Sequence, residues 1–271
     1  MATLWLFGDE AGVMPRADKD EVFVAATIGF LGAPPQIEFS GHRDAVIAAL
    51  VATRALPCVA FVKPSPGYAQ KLNARFARMN TMARATRLLT GANAKYLTPI
   101  GFSPRNMVWL SAMHQALGQT LLSAVERSLI DEIVVTLDEK TLAATTRTFF
   151  IDQVLATPEH MLPVFREALA RGLPGSEHHL GRLALTRGSI SIRWSDEPLD
   201  PEARVGLFLA HHLASHTFAD TKRGMPPMFL ADLLDAGLPC KEIDVTHILT
   251  AALADSTVRE WERRTGLRAP K

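Results

Sequence analysis

The sequence predicts a single α/β domain, and three observations carry that prediction. Five short runs are apolar and rich in β-branched or aromatic residues. The segments between and after them carry apolar residues at helical spacing. No repeat, low-complexity tract or long linker divides the 271 residues, so residues 1–271 read as one unit. With 48% of residues apolar, material for a buried core is ample.

Taken in order, Thr3–Phe7 is a strand that runs into the turn-like segment Gly8-Asp9-Glu10-Ala11-Gly12. Glu21–Phe30 is a second strand, closed by Gly32 and Pro34-Pro35, and the short connection makes the two antiparallel neighbours. Asp44–Ala55 is a helix with Val46, Ile47, Leu50 and Val51 on its apolar face. Pro57–Val62 is the third strand. A helical insertion over about 64–128 follows in two parts, Tyr68–Leu89 and Arg105–Ser128, parted by 91–104. In its first part Leu72, Phe76, Met79 and Ala83 share one side, and Lys71, Arg75 and Arg78 line the adjacent one. Glu132–Asp138 is the fourth strand, with a helix expected from about Thr145. A loop over 172–188 with a His178-His179 surface pair precedes the fifth strand, Ser189–Trp194. Helices over Glu202–Phe218, Pro227–Ala236 and Asp244–Thr265 close the chain, the last two spanning about 226–265.

A formal charge of +1 conceals an asymmetry. Ala45–Val125 contains no Asp or Glu but nine Lys and Arg, leaving 20 basic against 28 acidic residues elsewhere. Such a segment suits an anionic partner, or else a solvated helical face whose counter-charges come from other parts of the fold. Lys71, Arg75, Arg78, Arg84 and Arg87 are candidates for sequence-independent contacts to the phosphates of a nucleic acid, DNA or RNA. The four Trp residues are scattered and form no stacking platform. The N-terminus lacks the basic region of a signal peptide, and no apolar run approaches the roughly 20 residues of a spanning helix, so no membrane partner is expected. Two distant cysteines, Cys58 and Cys240, fit a reducing cytoplasm.

Two carboxylates stand where strands end: Asp9 after the first and Asp138 after the fourth. Ligand crevices in α/β sheets open at such ends. If the strands are neighbours, the carboxylates repel unless a cation bridges them, which suits Mg²⁺ or Mn²⁺. The alternative is that each caps a turn or helix.

Gly8-Asp9-Glu10-Ala11-Gly12, the hydrophobic strand Val22–Gly29 after it, and Leu137-Asp138-Glu139 together resemble the acidic motifs of the domain of unknown function 3800 family. The resemblance spans roughly residues 3 to 240. It implies a ribonuclease-H-like fold: a mixed five-stranded sheet, three strands antiparallel and two parallel, flanked by helices. It also implies a metal-dependent nuclease, with Asp9 and Asp138 as metal ligands and Glu10 as a further one. In such a site two Mg²⁺ ions about 4 Å apart activate water and stabilise the leaving oxygen. The family's Ser is replaced by Ala11.

The family's third motif, Leu-x-Leu-Ala-Asp-Leu, divides between two places. By order along the chain its Asp falls at His211, within Leu207-Phe208-Leu209-Ala210-His211; by letters it falls at Asp232, within Phe229-Leu230-Ala231-Asp232-Leu233. Order follows topology, so His211 is preferred. A neutral imidazole favours Mn²⁺, Zn²⁺ or Fe²⁺ over Mg²⁺, and can instead protonate a leaving group or guide water. An inactive relative that binds nucleic acid or a protein is the alternative. His212, His216 and Asp220 have helical spacing for zinc, but the two histidines fall on an apolar face, and half-buried packing is the preferred reading. No Gly-rich phosphate loop and no Gly-x-Ser-x-Gly elbow occurs.

Overall fold

The computed structural model describes residues 2–12, 22–90, 104–138, 147–148, 151, 189–250 and 255–269. Glu139, the loop 172–188 with His178-His179, and the helix expected from Thr145, apart from helical positions 147–148 and 151, lie outside them. The strands are β1 (Ala2–Gly12), β2 (Phe23–Leu31), β3 (Leu56–Val62), β4 (Ile130–Leu137), β5 (Ile190–Trp194) and β6 (Lys241–Asp244). The helices are α1 (Arg43–Ala52), α2 (Tyr68–Thr90), α3 (Pro104–Val125), α4 (Pro201–Lys222), α5 (Met228–Asp235), α6 (Thr246–Thr250) and α7 (Asp255–Thr265).

They form a mixed α/β fold around one sheet of order β5-β4-β1-β2-β3-β6. β2 is antiparallel to β1 and β3, while β4 runs parallel to β1, β5 to β4 and β6 to β3. The sheet has six strands where five were expected. The extra strand, Lys-Glu-Ile-Asp, carries no apolar run and is largely exposed. Its pairing to β3 rests on backbone hydrogen bonds, and a short charged edge of this kind discourages further strand addition. The single closing helix expected from Asp244 is accordingly a strand end followed by α6 and α7.

Helices cover both faces, and residues 23–30 of β2 and all of β3 are buried, as their nearly unbroken apolar sequences require. One face packs Leu4, Leu6, Ala25, Ala60 and Val135 against α2, α3 and α6, with Trp109 and Met113 of α3 fully buried. The other packs Phe7, Val24, Ala26, Ile28 and Val59 against α1, α4 and α5. Of the segment expected as an insertion, α3 therefore lies on the sheet and builds its core. Two buried hydroxyls, Thr27 of β2 and Thr120 of α3, hydrogen-bond at 2.7 Å across that layer.

α4 sets the position of the site. Asp200 caps it, its carboxylate accepting from the Ala203 N–H at 2.8 Å, and Pro201 and Glu202 occupy the first turn where a fixed φ and a negative charge are favoured. Gly206 lets the helix lie close on β1: a Cβ there would stand 2.5 Å from the Phe7 ring. No described helix is long and apolar enough to cross a membrane.

Candidate active site

β1 and β4 are parallel neighbours, with Gly8 paired to Leu137, and the Asp138 N–H continues the ladder by donating to the Gly8 carbonyl at 2.9 Å. Asp9, the first β1 residue beyond its pairing with β4, and Asp138, the first residue after β4, thus lie at the same level. β5 repeats the arrangement one strand further out: Leu137 pairs with Trp194, and the Ser195 N–H donates to the Leu137 carbonyl at 2.9 Å. Asp138 and Ser195 follow the last residues of β4 and β5, whereas Asp9 lies within β1, which runs on to Gly12 against β2 and is not the strand end expected from the sequence; the three residues still stand in a row. All three, with His211 of α4, line one open cavity of about 470 Å³.

The polar contacts are short and directional. Asp9, 1% exposed, shares a hydrogen bond from its Oδ2 to His211 Nδ1 at 2.8 Å, and its Oδ1 accepts from the Glu10 N–H at 2.7 Å. Ser195 Oγ donates to Asp138 Oδ1 at 2.6 Å. With Asp9 ionised, its bond to His211 requires the imidazole proton on Nδ1, leaving Nε2 as the basic nitrogen. Nε2 lies 3.5 Å from Ser215 Oγ, one turn further along α4.

The rest of the lining is different in kind. Pro198 and Leu199 from the loop after β5, with Leu207 and Phe208 of α4, supply apolar surface. Arg204 and Glu197 stand exposed at the rim. Arg204, Phe208 and His211 follow one another at i, i+4, i+7 and so share one stripe of α4.

Strand alternation separates Glu10 from Asp9. Successive side chains of β1 point to opposite faces, and Glu10 Oε2 accepts from Trp109 Nε1 of α3 at 3.1 Å. The Glu10 carboxylate and the cavity are thus on opposite sides of the sheet. Asp232 is placed elsewhere too. Arg43 Nε donates to its Oδ2 at 2.6 Å, and the same guanidinium reaches buried Asp220 at 3.4 Å. Asp220 also accepts from the Phe229 N–H at 2.8 Å, so this ion-pair cluster fastens α5 to α4 and α1.

His212 and His216 stack on each other, and His216 stacks on Phe229 and bonds the Gly41 carbonyl at 3.1 Å. Burial, and then the neighbouring His211 and His216, hold the His212 imidazole below its ordinary pKa. These are packed, half-buried histidines. Among the described residues no group of three or more His, Cys, Asp or Glu side chains is arranged to hold a metal ion.

Lys71, Arg75, Arg78 and Arg84 lie on α2, which packs with α3 and α6 on the sheet face opposite α4. Lys71 and Arg84 are exposed, but the Arg75 guanidinium turns inward to the Ile248 carbonyl beside the Phe76 ring. The Arg87 side chain lies outside the described residues. The basic stripe and the cavity therefore belong to different faces of the molecule.

Seven of the ten lining residues escaped the sequence reading, Ser195, Glu197, Arg204 and Phe208 among them. Ser195 obeys the strand-end rule that singled out Asp9 and Asp138, and the helical repeat around His211 marks Arg204 and Phe208. Glu197 sits in an irregular turn with no local signal. No family model, curated protein or solved structure matches the chain.

Proposed function

We propose that the protein is a divalent-metal-dependent phosphodiester hydrolase acting on nucleic acid, built on a ribonuclease-H-like sheet. The observation that carries this reading is the convergence of Asp9, Asp138 and His211 on one cavity where the β1–β4 ladder ends. Three antiparallel strands continued by two parallel ones also support it, β6 being an addition at the edge.

The donor set suits Mg²⁺ or Mn²⁺ held by few protein ligands. Mg²⁺ is commonly bound by one or two carboxylates, with water and substrate phosphate supplying the rest of its shell. Asp9 and Asp138, side by side at the end of the β1–β4 ladder, are such a pair. When bound, the ion lowers the pKa of water and neutralises charge on the phosphoryl oxygens. His211 then has two roles of its own: Nδ1 fixes the orientation of Asp9, as outer partners of ligands commonly do, and Nε2 exchanges a proton with water or the leaving oxygen. Ser195 fixes the rotamer of Asp138 in the same manner.

The test is cleavage of fluorescein-labelled DNA and RNA in Mn²⁺ or Mg²⁺ by the wild type and by Asp9→Asn and Asp138→Asn. Metal-dependent cleavage that disappears in both variants is expected; cleavage unchanged in either one refutes the reading. One observation favours a second reading, a catalytically silent binding module: both Asp9 oxygens already accept hydrogen bonds, from His211 and the Glu10 amide. Calorimetry decides between them, since the silent module takes up no Mn²⁺ and the hydrolase binds it through Asp138.

A further inference from the structure

The two walls of the cavity ask for two different chemistries in one ligand. The floor is anionic and suited to a cation-bridged phosphate. The lining from Pro198, Leu199, Leu207 and Phe208 is apolar, and Phe208 is 44% exposed. Arg204 lies one helical turn before Phe208 on the same stripe. At about 470 Å³ the space falls within the range of small-ligand sites, large enough for one nucleotide unit. A duplex keeps its bases stacked and offers only their edges, whereas an unstacked base presents a flat apolar face to an aromatic ring. The basic residues of α2 that could track a duplex backbone are on the other side of the sheet.

The geometry points to a single-stranded substrate, one nucleotide of which enters the cavity with its base on Phe208 and its phosphate between Arg204 and the carboxylates. Resting on the proposed function for the phosphate end, this inference names the substrate class for the same site. Phe208 is held for the task from two sides, by Phe39 with ring centroids 5.3 Å apart and by the edge-on His212 ring at 4.3 Å. A ring anchored this way loses little freedom when a base stacks on it. Recognition of this kind reads the base's flat face and not its edge, so it tolerates any sequence.

The experiment measures anisotropy of a fluorescein-labelled single-stranded oligonucleotide, and of the matching duplex, with the full chain. Calcium replaces manganese so that the strand stays intact, which a gel verifies. The wild type is expected to bind the single strand at least about tenfold more tightly than the duplex. Phe208→Ala should weaken single-strand binding about tenfold or more, the scale of one base–aromatic stack. Phe208→Tyr, which keeps the ring face, should restore it, and Arg204→Ala should weaken it and flatten its salt dependence. Equal affinity for duplex and single strand overturns the inference. So does binding that is lost in a Lys71→Glu, Arg84→Glu double variant but indifferent to Phe208→Ala, which would make α2 the interface. Cleavage in Mn²⁺ is scored separately. Binding through Phe208 without cleavage refutes the hydrolase and leaves this inference standing. Cleavage of duplex and single strand alike by Phe208→Ala does the reverse.

Discussion

Replacing Gly206 by Ala tests the contact that sets His211 over Asp9. A Cβ at Gly206 would stand 2.5, 2.5 and 2.6 Å from Cδ2, Cε2 and Cζ of Phe7, where ordinary contact begins at 3.4 Å. The ring has no room to yield, since Phe7 is fully buried and packs edge-on against Phe30 at 5.9 Å. α4 must therefore retreat by about 0.9 Å. Overpacking of this sort costs about 1–3 kcal/mol, against a gain of up to about 1 kcal/mol in helix propensity. The expected net loss of up to about 2 kcal/mol lowers Tm by several degrees. A retreat of that size also stretches the 2.8 Å contact between His211 Nδ1 and Asp9 Oδ2 beyond hydrogen-bond range, so Mn²⁺-dependent cleavage should fall about 100-fold. Gly118 of α3 is the control: a Cβ there meets nothing within 4 Å, so Gly118→Ala should raise Tm by about 2–4 °C and leave cleavage alone. Thermal unfolding followed by circular dichroism gives both values. If Gly206→Ala stabilises the protein as Gly118→Ala does, the reasoning from close helix–strand approach is wrong.

Three further expectations follow from the same structure. If the proposed cleavage is found, His211→Ala should lower its kcat about 100-fold, whereas an unchanged kcat would leave Nε2 without a role in proton transfer. Burial pushes the Cys58 thiol up to about 12, so only about 10⁻⁴ of it is thiolate at pH 8. In a Cys240→Ser variant, Ellman's reagent should release nothing from the folded chain and one thiol after guanidinium; prompt reaction of the native protein would contradict the buried position. Hydrogen bonds from Arg263 and then Arg264 hold the Glu260 carboxyl at about 2, below its usual 4.5. The stabilisation of α7 from this cluster is thus present above pH 4.5 and lost as pH falls through 2. A carboxyl carbon titration with its midpoint near 4.5 would show the cluster to be open in solution.

Much of the site was legible because its signals are local. Asp9 and Asp138 each follow an apolar run, which marks them as polar residues late in or just past a strand. The separation of Glu10 from Asp9 was not legible, because the turn-like composition of Gly8–Gly12 hid the continuation of β1 to Gly12, and a strand cannot turn two successive side chains to one face. β6 left no trace, because a charged edge strand of four residues is specified by the neighbouring backbone and not by its own side chains.

By itself, then, the sequence determined five of the six described strands, apolar helix faces, and that Asp9 and Asp138 follow apolar strand-forming runs. It left open which helix meets them. Chain order favoured His211 over Asp232, but helical periodicity states which side of a helix packs and says nothing about what it packs against. Tertiary structure decided that. Close approach at Gly206 lays α4 across β1 and brings His211 to Asp9, while Arg43 holds Asp232 away in an ion pair with α1. It decided equally that the basic stripe of α2 and the acidic cavity occupy opposite faces of the sheet. Charge along a chain is a property of sequence, but the side of a sheet on which it falls follows from how each connection crosses over.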